Sequence, residues 1–169
     1  FALFDFTNAL PRAKLYNHWQ VNTNDADALQ KIFNPAFDPQ SSIVVDSGLP
    51  PHPAFATNDL TGQSAGTVDI SHYAPKDIVL RADAAAPSVL LLNDHYDPDW
   101  KVLVDGKPQR LLRCNFFMRG VYLLPGTHQV EFKFQPPTGM LYVSLAALAI
   151  GLPALGFFLV SGGKRPQSF

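Results

Sequence analysis

Charge is what this sequence has least of. Of its 169 residues only 16% are Asp, Glu, Lys or Arg, against about 25% in an ordinary soluble domain. The 13 basic and 14 acidic side chains leave a formal net charge of −1, so there is no broad positive field to gather nucleic acid, and no nucleic-acid partner is expected. The shortage is local. From Thr138 to Gly163 no residue is charged. Cysteine is scarcer still. Cys114 stands alone, which excludes an intrachain disulfide and any Cys-x-x-Cys pair for metal or redox work. Internal repeats and low-complexity tracts are absent as well.

The charge-free gap holds Met140–Val160, MLYVSLAALAIGLPALGFFLV. About 20 helical residues cross the roughly 30 Å hydrocarbon core of a bilayer. A buried helix of a soluble protein would show a polar stripe at this length, and none is present. A single transmembrane helix is therefore expected over 138–161, with the lipid bilayer as partner. Tyr142 suits the interface, and Gly151, Pro153 and Gly156 are better tolerated in membrane helices than in soluble ones. Ala147 and Gly151 form a small-xxx-small pair that can meet another helix. Lys164 and Arg165 follow, so the tail 162–169 is expected in the cytoplasm and 1–137 outside it. The chain opens on Phe1 rather than Met, which reads as the last part of a longer protein or a processed form.

Residues 1–137 read as mainly β. Leu15–Val21 suggests a short strand. Asp25 can cap one short helix running to Phe33, with Ala26, Leu29, Ile32 and Phe33 on one face. Ser42–Asp46 is a strand, and the Pro-, Gly- and Ser-rich stretch 47–65 is a loop, expected to be the most mobile segment. Alternation marks Thr67–Tyr73, Lys76–Ala84 and Trp100–Val104, whereas Ser88–Leu92 is apolar on both faces, as in a covered central strand. Asp105-Gly106 signals a type I′ hairpin. Leu111–Cys114 and Gly120–Leu124 follow, and Pro125-Gly126 suits a type II turn. In His128–Gln135, Val130, Phe132 and Phe134 face inward. Seven or eight short strands with regular turns argue for an antiparallel β-sandwich or jelly roll, with Trp100, Val130, Phe132 and Phe134 in its core.

Chemistry-bearing residues gather in Asp94–Trp100, DHYDPDW. The acids Asp94, Asp97 and Asp99 lack the spacing, the internal Gly and the final Glu of a calcium loop, so a turn with Asx-type bonds is the simpler reading. His18, His52, His72, His95 and His128 show no zinc spacing with Cys114. Ser71 and His72 fall on opposite faces of a strand and no nucleophile elbow is present. No metal, cofactor or catalytic residue is expected. The aromatics Tyr96, Trp100, Phe116, Phe117 and Tyr122, with Arg113 and Arg119 interleaved, fit two descriptions. They can fill a core. Aromatic faces can also stack on sugars while Arg pairs with phosphate. On the second description Asp94, Tyr96, Asn115 and Arg119 are candidates for contact with a glycan or a lipid-linked phosphate.

A run of pieces supports a family resemblance: Asp94, Tyr96, Trp100, Val104-Asp105-Gly106, Asn115, Arg119-Gly120-Val121, Pro125-Gly126 with His128, Val130, Phe132 and Pro136-Pro137, ahead of a closing membrane helix. Together with Asn8–Leu15 and Ala26–Gln40 they resemble the C-terminus of the bacterial YfhO-like membrane proteins. One piece departs from that pattern, with Asp97-Pro98-Asp99 standing where the family has Pro-Gly before Trp. The resemblance implies a polytopic protein of GT-C-like glycosyltransferase architecture in the bacterial cytoplasmic membrane. Such proteins move sugar from a polyprenyl-phosphate donor to a cell-envelope polymer. It further implies an early extracytoplasmic loop for the catalytic acid, so no residue of this chain is carried over as catalytic. The domain would cover or recognise envelope glycan or polyprenyl-linked sugar, or brace the other membrane helices of the parent protein. A membrane-anchored glycan-binding module and a purely structural anchor are the alternatives.

Overall fold

The computed structural model describes residues 9–46, 48–49 and 64–161. Most of the loop expected at 47–65 and all of the tail expected at 162–169 lie outside the described residues. Two units result, 1–135 and 136–169.

The first unit is built from eleven strands and one helix among the described residues. In chain order these are β1 Ala13–Tyr16, β2 Trp19–Val21, α1 Asp25–Ile32, β3 Ile43–Val45, β4 Gly66–Ala74, β5 Asp77–Ala84, β6 Ser88–His95, β7 Trp100–Val104, β8 Lys107–Gln109, β9 Leu112–Cys114, β10 Met118–Leu123 and β11 Gly126–Phe134. The strands form two sheets, β1-β6-β10-β9-β3-β2 and β4-β5-β11-β7-β8. All pairings are antiparallel except β2 with β3. The count exceeds the seven or eight strands expected in part because Leu15–Val21 divides into β1 and β2, and the return arm β8 of the Asp105-Gly106 hairpin is a strand in its own right.

That division shapes the six-stranded sheet. β1 and β2 lie at its two ends, yet the chain from Tyr16 to Trp19 reaches only about 10 Å. Five inter-strand steps in a flat sheet would cover about 24 Å. The sheet therefore curls into a half-barrel. Tyr16, Ile43, Val45, Val89, Leu91, Leu112 and Cys114 pack on one of its faces. The other face meets the second sheet across Leu90, Leu92, Val121 and Leu123 on one side and Leu80, Val102, Val130 and Phe132 on the other. Alternation in β6 explains why its run Val89–Leu92 is apolar on both faces: Val89 and Leu91 serve the curl, Leu90 and Leu92 the sandwich. Burying a side chain such as Leu90 or Leu91 contributes about 1.5–3 kcal/mol, so this doubly covered strand anchors both cores. Trp100 and Phe134 meet in the sandwich core with ring centroids 5.4 Å apart.

The turns follow their residues, with two corrections. Asp105 and Gly106 take φ of 51° and 74°, as a type I′ hairpin requires. Gly126 sits at φ 130°, beyond the +80° of a type II turn, and is already the first residue of β11. Its bend is closed by a side chain, the His128 Nε2 lying 2.9 Å from the Leu124 carbonyl oxygen. In α1 the cap is Asn24 rather than Asp25, its Oδ1 accepting from the amides of Ala26 and Asp27. The buried helix residue is Ala28, while Ala26 and Phe33 are exposed. Arg113 pairs with Asp25 in the first turn of this helix.

The second unit contains α2, Gly139–Ser161, with Pro153 inside it. Its stretch Leu141–Leu159 is long and apolar enough to cross a membrane. Every described side chain along α2 is exposed.

Candidate functional site

One end of the sandwich gathers most of the residues singled out from the sequence. β6 and β11 end there, β7 and β10 begin there, and the β4–β5 turn closes there. The Gln135 amide donates to the Asp99 carbonyl at 2.9 Å, so β11 delivers the chain out of the domain at this same end.

Asp94 is its electrostatic centre. The β6–β10 pairing shifts between Met118 and Arg119, opposite Asn93 and Asp94, and an irregularity of this kind re-aims side chains. The Asp94 Oδ2 accepts from Arg119 Nη2 at 2.9 Å and from the Tyr73 hydroxyl at 3.0 Å. The Oδ1 accepts from Arg12 Nη2 at 3.1 Å. Arg12 lies over the Tyr73 ring at 4.4 Å. Arg119 is only 4% exposed, with its guanidinium 3.8 Å from the Trp100 ring centre and Nη1 donating to the His95 carbonyl at 3.2 Å. Its Nε is buried without a hydrogen-bond partner. Burial pushes the Arg119 guanidinium below its ordinary value and Asp94 opposes that shift; an Arg side chain stays protonated throughout. Burial, followed by the bond to Asp94, raises the Tyr73 phenol. Together these groups form a clasp joining β6, β10 and Arg12, the residue before β1, to β4 and β7 of the other sheet.

The structure therefore brings Asp94 and Arg119 together and occupies both. Asn115 is also occupied. At 7% exposure its Oδ1 accepts from the Val44 amide at 2.9 Å and its own amide donates to the Val44 carbonyl at 2.8 Å. This two-point pairing continues the β3–β9 contact beyond Val45 and Cys114. Asn115 and Phe116 take φ of 44° and 72°, a conformation Asn adopts at lower cost than most residues. Arg113 is held by Asp25 and Asp46, and Tyr122 meets Trp19 edge-on at 6.0 Å.

Tyr96 is different. It lines an open cleft of about 420 Å³ with Pro98, Trp100, Lys101, Leu103, Gln109, Leu111 and Gln135. The volume falls within the range of small-molecule sites, roughly 300–1,000 Å³. The preceding turn needs no glycine. Asp97 Oδ1 accepts from the Asp99 amide at 2.8 Å and the Trp100 amide donates to the Asp97 carbonyl at 3.1 Å, an Asx-type closure. Asp97 and Asp99 are thus engaged in the turn, and among the described residues no group of three or more His, Cys, Asp or Glu could hold a metal ion.

Arg12, Tyr73, Gln109 and Gln135 were not singled out from the sequence. Arg12 and Asp94 are 82 positions apart, and only the sheet pairing brings them together. Gln135 carried a usable signal, because it ends the last alternating strand just before two prolines. No protein-family model, no curated protein and no solved structure matches this chain.

Proposed function

We propose that this chain is the extracytoplasmic accessory domain and closing membrane span of a YfhO-like membrane protein of the bacterial cytoplasmic membrane, where it supports sugar transfer from a polyprenyl-phosphate donor to an envelope polymer. On this reading the Tyr96 cleft receives the saccharide, and catalysis belongs to other membrane helices of the parent protein. The observation that carries the saccharide assignment is the cleft lining: the aromatic ring of Tyr96 beside Gln109 and Gln135. Aromatic rings cover the apolar faces of sugars, and amides can donate to and accept from hydroxyls. The apolar α2 supports anchoring, and Lys164-Arg165 supports a cytoplasmic tail.

The reading is tested on the full chain in detergent with a panel of neutral and anionic oligosaccharides, using saturation-transfer NMR. Transfer to at least one sugar that disappears in Tyr96→Ala and Gln135→Ala is the expected result. No transfer to any sugar, or transfer unaffected by both substitutions, would overturn the saccharide assignment and leave a structural anchor. Sugar turnover by the chain alone would overturn its accessory role.

A further inference from the structure

We propose that the end of the sandwich carrying Tyr73, His95 and Phe117 lies in the headgroup layer of a lipid bilayer. The inference rests on the reading of α2 as a membrane span and is independent of the saccharide cleft.

Chain continuity is the first support. β11 ends at Phe134 and α2 starts at Gly139. The five steps from Phe134 to Gly139 reach about 17 Å when fully extended. Headgroups occupy about 5–7 Å on each side of the hydrocarbon. The nine-residue strands β4 and β11 span about 30 Å. The tether can therefore hold the Gln135 end at the lipid surface, but it cannot reach the far end of the sandwich, which carries Leu124 and the Asp105 hairpin.

The character of that end is the second support. Phe117 is 50% exposed at the tip between β9 and β10, and Tyr73 is 47% exposed on β4. The Phe117 carbonyl accepts from the Tyr96 amide at 2.7 Å, so the exposed ring stands on an ordered turn. Isolated exposed apolar residues are ordinary; here two aromatics share the end from which the chain leaves for an apolar helix. Aromatic rings favour the membrane interface, where one part of the surface is apolar and the rest wet. Exposed Lys76 accompanies them and suits a lipid phosphate, whereas Arg12 is already held by Asp94. Asp77, Asp97 and Asp99 more than offset this cation, so zwitterionic lipid fits this end better than a strongly anionic surface, and the contact should depend little on salt.

The test uses the full chain in phosphatidylcholine vesicles, with a spin label at Phe117→Cys or His95→Cys and a control label at Leu124→Cys. Native Cys114 is buried and is spared under native labelling. Leu124 is 61% exposed, so it reports the solvated end. The expected result is a several-fold loss of accessibility to a water-soluble nickel relaxant at Phe117 and His95 relative to Leu124, unchanged by added salt. The two labelled positions are independent, so misfolding of one variant leaves the other as the test. Equal accessibility in chains that float with the vesicles, or stronger protection at Leu124, would overturn the lipid contact alone and leave these aromatics to a protein partner. Failure to float would overturn the membrane reading as well.

Discussion

Arg119 and Trp100 are stacked, the guanidinium carbon lying 3.8 Å from the ring centre, while the same guanidinium donates to Asp94. A cation over a desolvated indole contributes about 2 kcal/mol, but a buried charge is tolerable only with its counter-ion in place. Asp94→Ala should therefore cost about 3 kcal/mol, the lower end for breaking a buried pair, because Arg12 opens the cluster to solvent on one side. Replacing both partners, Asp94→Leu with Arg119→Met, should restore stability to within about 1 kcal/mol. Denaturant unfolding of the detergent-solubilised chain checks both, and equal destabilisation by the single and double changes would contradict the clasp.

Asn115 makes two bonds to Val44 in a left-handed conformation. Asn115→Gly keeps the conformation and loses the side-chain bond, at about 1–2 kcal/mol; Asn115→Ala loses both, at about 2–3 kcal/mol. Hydrogen exchange at the Val44 amide should accelerate in both variants. Unchanged protection there would show that another group satisfies this amide.

Gly120 is required by a close approach. A Cβ at this position would lie 2.7 Å from the Leu90 carbonyl oxygen and 2.8 Å from Cys114 Sγ. The carbonyl belongs to a central strand and cannot yield cheaply, so Gly120→Ala should cost about 1–3 kcal/mol. If the Sγ contact contributes, Cys114→Ala introduced alongside should recover part of that loss. The thermal midpoints of the three chains decide this.

Cys114 is fully buried, and burial pushes its thiol well above the ordinary value. A thiol must be accessible and ionised to react. A maleimide should leave Cys114 unmodified in the native chain and modify it completely in denaturant, with mass spectrometry as the readout. Rapid native labelling would mean that the half-barrel opens.

Asp105 bonds to His128 and to the Gln129 amide, and these hold its carboxyl below the usual carboxylate range, the histidine first. A depressed folded-state value adds stability that is fully present above the unfolded value, near 3.9, and is lost as pH falls through the folded one. Asp105→Asn should lower the melting temperature at pH 7 and weaken its fall below about pH 4. The carboxylate is half exposed, so solvent screening keeps the contribution below about 1 kcal/mol. An acid limb identical in both chains would show that this carboxyl contributes nothing to it.

Much of this protein was legible in local pattern. Alternation marked β4, β5, β7 and β11; two-faced apolarity marked β6 as central; and the charge-free run marked α2. Asp105-Gly106 announced its hairpin because few residue pairs accept two successive positive φ values. These are short-range effects, governed by side-chain periodicity and backbone sterics, and a linear sequence carries them directly. The candidate site was legible only by residue type. Aromatics, acids and arginines near Asp94–Trp100 fit a binding platform and a core equally well, since both use the same side chains. Tertiary structure decided which of these side chains are engaged in internal contacts. Register and the β6–β10 irregularity turned Asp94 and Arg119 into a clasp with Arg12 and Tyr73, and Asn115 was spent on Val44. Tyr96 was left facing a cleft with Gln109 and Gln135. The curl of the six-stranded sheet likewise came from pairing across the chain, with β1 and β2 next to each other in sequence and at opposite ends of the sheet. Such pairings depend on contacts between residues far apart in the chain, Arg12 and Asp94 being separated by 82 positions, which no local pattern encodes.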